Sequence, residues 1–164
     1  YGIEKFAKDI SGIIDAVICV DLPSDVVEEK QLRNSLKKEN IALIKLITPT
    51  TSDERIKEIV KDAEGFIYSV NVEGQTGVKS ANVDKVNLQI EKIKKYTTIP
   101  VISGFGIKNE DDVKAFSKSK ADGIVLGSTI VNEIQKKSSK TMDKHIVANF
   151  ISDYCKKLIN NLNT

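Results

Sequence analysis

The sequence predicts an α/β fold built on a parallel sheet, and three observations carry that prediction. Five apolar runs of strand length lie within 16–22, 41–47, 66–72, 99–102 and 123–126, and each is followed by apolar residues at helical spacing. The runs are apolar on both faces, as in parallel strands covered by helices and joined by right-handed crossovers. Two of the runs, in the stretch Pro100–Thr129, end in small residues before a helix opens: Gly104-Phe105-Gly106 and Gly127-Ser128. A strand that ends in glycine and opens a helix brings unpaired backbone N–H groups to one point. Two such turns side by side would cradle an anion. The same glycines would also serve simply to turn the chain tightly. Two architectures fit: a doubly wound sheet of five strands, or a closed barrel of eight, in which the seventh and eighth loops commonly hold a phosphate. Periodicity does not choose between them.

Taken in order, residues 1–14 read as a helix with Ile3, Phe6, Ala7, Ile10, Ile13 and Ile14 on one face. The run AVICVDL follows Asp15 and closes at Pro23. Ser24 is placed to cap the next helix, with Asp25 and Glu28 in its first turn and Val27, Leu32 and Leu36 as a sparse apolar face. The second strand, 41–47, contains Lys45. A buried lysine without a partner costs several kcal/mol, so it is expected to snorkel at a strand end or pair with an acid; an active-site lysine is the less favoured alternative. Thr51 and Glu54 have capping-box spacing ahead of a stripe of Ile56, Ile59, Val60 and Ala63. The third strand, 65–72, leads into a glycine-punctuated polar loop at 73–82. Val83, Val86, Ile90 and Ile93 mark the helix after it. Asn109, followed by three acids, caps a helix carrying Val113 and Phe116. Ser128 opens a short helix with Ile130, Val131 and Ile134, and polar residues 136–141 separate it from a final helix. That helix carries the stripe Ile146, Val147, Phe150, Ile151, Tyr154, Leu158 and Leu162.

Composition narrows the function classes. The chain has 164 residues, enough for one domain (1–164) with a substantial core. Its net charge of +2 is spread along the chain, which argues against a nucleic-acid groove or a membrane patch. The apolar runs are too short to span a bilayer, and no signal-peptide pattern opens the chain. Cys19 and Cys155 are far apart and suit a reducing, cytoplasmic setting. The single histidine, His145, reads as an exposed helical residue, and no histidine–cysteine cluster offers a metal site. The chain begins at Tyr1 rather than Met, as a processed product or a piece of a longer gene would.

Six segments in order carry a resemblance: YGIEKF (1–6), CVDLP (19–23), TPTTSDERI (48–56), GFIYSVNVEGQTG (65–77), PVISGFGI (100–107) and ADGIVLGSTIV (121–131). Together they make the chain resemble the tryptophan synthase alpha subunit family, along nearly its whole length. The resemblance implies a TIM-barrel type of parallel β/α barrel, here partial and lacking the first three strands. It implies a lyase of tryptophan biosynthesis that cleaves indole-3-glycerol phosphate by a retro-aldol step into indole and glyceraldehyde 3-phosphate. One carboxylate would handle the proton on the indole ring and another the glycerol hydroxyl. The family places these on the second strand and the loop after it, so neither acid/base carboxylate falls within this chain, which is expected to be inactive alone.

The resemblance assigns phosphate binding to Gly77, Phe105, Gly106, Gly127 and Ser128. It makes Tyr68 and Thr76 supporting active-site residues; Tyr68 alone would equally suit a strand aromatic filling the barrel. Asp21, Leu22 and Pro23 match the loop facing a beta subunit in an alpha2beta2-type complex. Pyridoxal phosphate belongs to that partner, and this chain would need no cofactor and no metal. Lys79 stands where the family often has arginine, which is not an equivalent at a bidentate contact. Two other functions remain in view: a non-catalytic remnant that binds phosphate or a partner, and another phosphate-barrel isomerase of amino-acid biosynthesis. The second shares the glycine turns but lacks the PTTxxER and GxTG segments in this order.

Overall fold

The structure is a computed structural model and describes residues 1–70, 83–104, 107, 110–141 and 143–162. Five strands, β1 (Ala16–Ile18), β2 (Ala42–Ile47), β3 (Ile67–Val70), β4 (Val101–Gly104) and β5 (Gly123–Val125), lie in the order β1-β2-β3-β4-β5. Every neighbouring pair is parallel. A doubly wound sheet reverses its strand order at a switch point. Here each strand simply lies beside its predecessor, as in an arc of a β/α barrel. The sheet is therefore a partial barrel, and β1 and β5 are its edges.

Seven helices follow the same order: α1 (Ile3–Asp9), α2 (Val27–Lys38), α3 (Asp53–Lys61), α4 (Val83–Lys94), α5 (Glu110–Phe116), α6 (Ser128–Ser138) and α7 (Lys144–Leu162). They pack on one face of the sheet. Ile47, Ile67 and Val101, all fully buried, join Ile56, Ile90, Ile93, Val113 and Leu158 in the main core. Leu43 joins Ala7, Leu32 and Leu36 in a smaller one under α1 and α2. The alternate strand residues, Ile18, Ile44, Leu46, Tyr68, Ile102 and Val125, belong to neither core. They form the other face, helix-free among the described residues, which in a barrel is the interior.

Several local expectations are corrected. α1 ends at Asp9 rather than running to residue 14. Gly12 takes a left-handed φ of 71° that no helix continues through, and Ile13 and Ile14 are exposed. β1 keeps three residues of the 16–22 run. It is hydrogen-bonded on one side only, where short strands are the rule. α2 begins at Val27 without a side-chain cap, so Ser24 lies in the preceding loop, and Val27 faces solvent. The cap of α3 is Ser52, whose Oγ accepts from the Arg55 N–H at 3.3 Å; Thr51 Oγ1 instead accepts from the Thr48 N–H. α6 continues through Ser138, into the segment read as a separator. In α7, Leu158 is buried, whereas Ile146 at the start of the stripe is exposed.

Lys45 resolves as an ion pair. It projects from β2 on the helix side and bonds the carboxylate of Glu29 in α2, both side chains being almost fully buried. Arg33, one turn further along α2, lies 3.5 Å from the same Glu29 oxygen and 3.1 Å from Asp62. A second cation beside Glu29 and hydrogen bonding within the pair offset the desolvation of burying both charges. His145 is exposed, as expected, and both cysteines are free and half-buried.

Candidate phosphate-binding site

The C-terminal ends of β3, β4 and β5 are level: Val70 pairs with Gly104, and Gly104 with Val125. Parallel neighbours are about 4.8 Å apart, so the turns leaving β4 and β5 start side by side. The second turn is fully described. Gly127 is the N-cap of α6 and Ser128 its first residue, both exposed. The first helical hydrogen bond runs from the Val131 N–H to the Gly127 carbonyl at 3.1 Å, so the amides of residues 128–130 precede it. A Cβ added to Gly127 would meet nothing within 4 Å, and its φ is −107°. Neither crowding nor backbone conformation therefore demands a glycine there. A bare backbone does leave open space in front of the helix start. Phe105, Gly106, Thr76, Gly77 and Lys79 lie outside the described residues.

Tyr68 sits on the helix-free face of β3, opposite Ile102 in register, and is 8% exposed. Its hydroxyl reaches over Gly104: a Cβ built there would lie 1.8 Å from the Tyr68 oxygen and 2.3 Å from Cζ. Glycine at 104 is thus a packing requirement, unlike glycine at 127. Burial pushes the Tyr68 phenol above its ordinary pKa. It is neutral at physiological pH and keeps a proton to donate. The ring fills the barrel face, and its hydroxyl end lies beside Gly104.

Asp21, Leu22 and Pro23 lie two strands away, in the loop after β1. Asp21 and Pro23 are exposed, and Leu22 packs against the smaller core. With Thr48, Thr51 and Arg55 they line a cavity of about 600 Å³ over the ends of β1 and β2. The structure therefore keeps the loop after β1 apart from the ends of β4 and β5. Glu29 and Lys45 also line this cavity, but they are bonded to each other.

Sequence reasoning missed a layer of buried polar residues behind the turns: Ser69, Ser103, Asp112 and Thr129. Ser69 and Ser103 are paired in register, and Thr129 Oγ1 donates to the Ile107 carbonyl at 2.7 Å. A polar residue alternating with core residues such as Ile67 and Val101 was the available signal. Glu29 had a signal too, because a lysine inside an apolar strand calls for an acid on the helix that covers it. Among the described residues no group of three or more His, Cys, Asp or Glu is placed to hold a metal. None of the helices described is long and apolar enough to cross a membrane.

Level strand ends on an arc of parallel β/α units define a protein of the β/α-barrel type. Comparison with known proteins narrows this. The family model described as tryptophan synthase alpha chain matches residues 1–160. The chain belongs to that family. It is 37% identical over 153 residues to the tryptophan synthase alpha chain of Phenylobacterium zucineum, covering 93% of this chain and 53% of that protein. It is 35% identical over 149 residues to that of Bacillus thuringiensis, covering 90% and 57%. Tryptophan synthase subunit alpha from Campylobacter jejuni superposes with a TM-score of 0.73 at 38% identity, covering 92% of this chain and 58% of that one. The tryptophan synthase a2b2 complex of Pyrococcus furiosus gives a TM-score of 0.78 at 26% identity, covering 97% and 61%. The chain thus spans a little over half the length of the relatives it matches.

Proposed function

We propose that this chain supplies the substrate-holding wall of a tryptophan synthase alpha-type lyase. The reaction is retro-aldol cleavage of indole-3-glycerol phosphate to indole and glyceraldehyde 3-phosphate. The observation that carries the reading is the side-by-side placement of the β4 and β5 ends, with the bare N-terminus of α6 at one of them, in a chain of this family. The phosphate is held by the amides of Gly106, Gly127 and Ser128 and the hydroxyl of Ser128, beside Phe105 and Gly77. The Tyr68 hydroxyl donates near the glycerol chain, and Thr76 matches the threonine that orders the family's catalytic aspartate. The chain itself needs no cofactor; pyridoxal phosphate belongs to a beta-type partner that docks on Asp21, Leu22 and Pro23. The enzyme works in the cytoplasm.

Bond breaking needs two carboxylates that resemblance places on the second barrel strand and in the loop after it, before the strands seen here. Purified 1–164 is therefore expected to bind glycerol 3-phosphate but to release no indole from indole-3-glycerol phosphate. A polypeptide supplying three further βα units with the family's glutamate and aspartate is expected to restore cleavage. Turnover by 1–164 alone would show that residues of this chain do the acid–base chemistry. Gly127→Asp places a carboxylate in open space at the helix start and is expected to abolish glycerol 3-phosphate binding while leaving the fold intact. Unchanged affinity would rule the site out.

A further inference from the structure

We propose that the cavity over the ends of β1 and β2 is a binding site for a small monocarboxylate with an apolar body, whose carboxylate is held by Lys45. Lys45 and Glu29 both line this cavity of about 600 Å³ and are 5% and 2% exposed. An ammonium group carries three donors. Among the described residues Lys45 Nζ makes a single hydrogen bond, to the Glu29 carboxylate, so its remaining donors are idle at the cavity wall. Arg33 shows the same surplus. Its Nε lies 3.5 Å from the same Glu29 oxygen, is buried and makes no hydrogen bond. Buried donors left idle favour a further acceptor. The site lies apart from the β4 and β5 ends and does not depend on the phosphate reading.

Charge sets the chemistry of that acceptor. Two cations, Lys45 and Arg33, flank one buried carboxylate. The other partner of Arg33, Asp62, is exposed, and water screens it. The buried cluster therefore carries one positive charge in excess, which a single carboxylate matches. Leu22, Leu43 and Ile59 on the wall give that carboxylate's carrier an apolar surface to cover. A phosphate dianion would exceed the charge and leave this surface bare. The remaining charged groups of the lining compete little. Arg55 is engaged by Asp25 at 2.8 Å, and Asp21 is exposed.

Benzoate is the probe, titrated into the 1–164 chain by methyl NMR, with its uncharged isostere benzamide and inorganic phosphate as comparators. Benzoate is expected to bind with a Kd on the order of 1 mM, and both comparators at least about tenfold more weakly. In the parent, the methyl signals of Leu22, Leu43 and Ile59 should shift on titration, while those of Leu158, in the main core away from the cavity, stay in place. The double variant Glu29→Leu with Lys45→Met removes both charges and keeps an apolar filling, with folding checked by its melting curve. It is expected to lose benzoate affinity by about tenfold or more. Four results each overturn the proposal: no benzoate binding up to about 20 mM, benzamide or phosphate binding as tightly as benzoate, parent binding that leaves the three cavity methyls unmoved, or parent-like affinity in the folded double variant. The methyl shifts need no variant, so the test stands even if the double variant does not fold.

Discussion

The two faces of the sheet are in different states of completion. On the helix side, Ile47, Ile67 and Val101 are fully buried beneath α3, α4, α5 and α7, and even the charged Lys45 has its Glu29. On the helix-free side, Ile18 is 45% exposed, Val125 38% exposed, and only the middle of the sheet is covered. Exposed apolar side chains lie beside both edges, Ile13, Ile14, Ile18 and Val20 near β1 and Val125, Val131 and Ile134 near β5, and also on helix surfaces at Val27, Leu88, Ile146 and Ile159. The first face is what makes this segment fold as an arc. The second is the inner wall of a barrel arc, and the described residues supply no strand opposite it. Stability therefore rests mainly on the helix-covered face, and substitutions on the two faces should differ in cost.

The largest effect is expected in the helix layer. Glu29→Ala strands a buried lysine, and loss of one partner of a buried pair costs about 3–5 kcal/mol. The double variant Glu29→Leu with Lys45→Met removes both charges and is expected to recover most of that loss in urea denaturation. If the single variant is as stable as the parent, the pair is solvated and the helix face is looser than described. Next comes Ile67→Ala, expected to cost about 2–5 kcal/mol, set against Ile18→Ala on the open face at roughly 0.5 kcal/mol or less. Equal losses at the two sites would erase the contrast between the faces.

Much of this contrast was legible in the sequence, and the parts that were not have physical reasons. All five strands and their parallel order followed from apolar runs alternating with helical stripes. The choice between doubly wound sheet and barrel did not, because strand order depends on which neighbour each crossover selects, and periodicity is blind to that. Ends were misplaced where one residue decides: Gly12 ends α1 early, and the cap of α3 falls on Ser52 rather than Thr51. Gly127 and Ser128 could be flagged from sequence because glycine before a helix is a local signal. Thr129 could not, since its partner Ile107 is 22 residues away in another unit. Gly104 looked like Gly127 in sequence, and only the position of Tyr68 shows that the two glycines are required for different reasons.

That difference gives a smaller, sharper test on the open face. Gly104→Ala forces the Tyr68 ring to move, and overpacking of this kind costs about 1–3 kcal/mol. Tyr68→Ala in the same chain removes the clash, so the pair should be less destabilised than the sum of the singles. Strict additivity would mean that the ring has other room and does not depend on a bare backbone at 104.

The smallest effect is a pH dependence at the end of the sheet opposite the glycine turns. Asp122 precedes β5 and clips it to β4: its carboxylate accepts from the Val101 N–H at 2.7 Å, its own N–H donates to the Val101 carbonyl at 2.9 Å, and Lys94 lies 2.9 Å from the carboxylate. Burial works to raise the pKa of this group, but the Val101 and Lys94 hydrogen bonds outweigh it and hold the carboxyl below its ordinary 3.8. The folded form thus binds its proton less readily than the unfolded chain. The stabilisation is complete above about pH 4 and fades as pH falls through the depressed folded-state value. Asp122→Asn keeps the shape and lacks the titration. The stability lead of the parent over Asp122→Asn is therefore expected to be level near neutrality and to shrink only in acid below about pH 4. Asp53, also depressed by its bonds to Tyr96 and Lys92, is present in both proteins and cancels in the difference. A lead that stays flat down to about pH 2 would mean that the β4–β5 clip is held by its backbone bonds alone. Glycerol 3-phosphate affinity near neutral pH should be the same in both proteins, because the clip lies at the N-terminal ends of the strands and the glycine turns at the C-terminal ends.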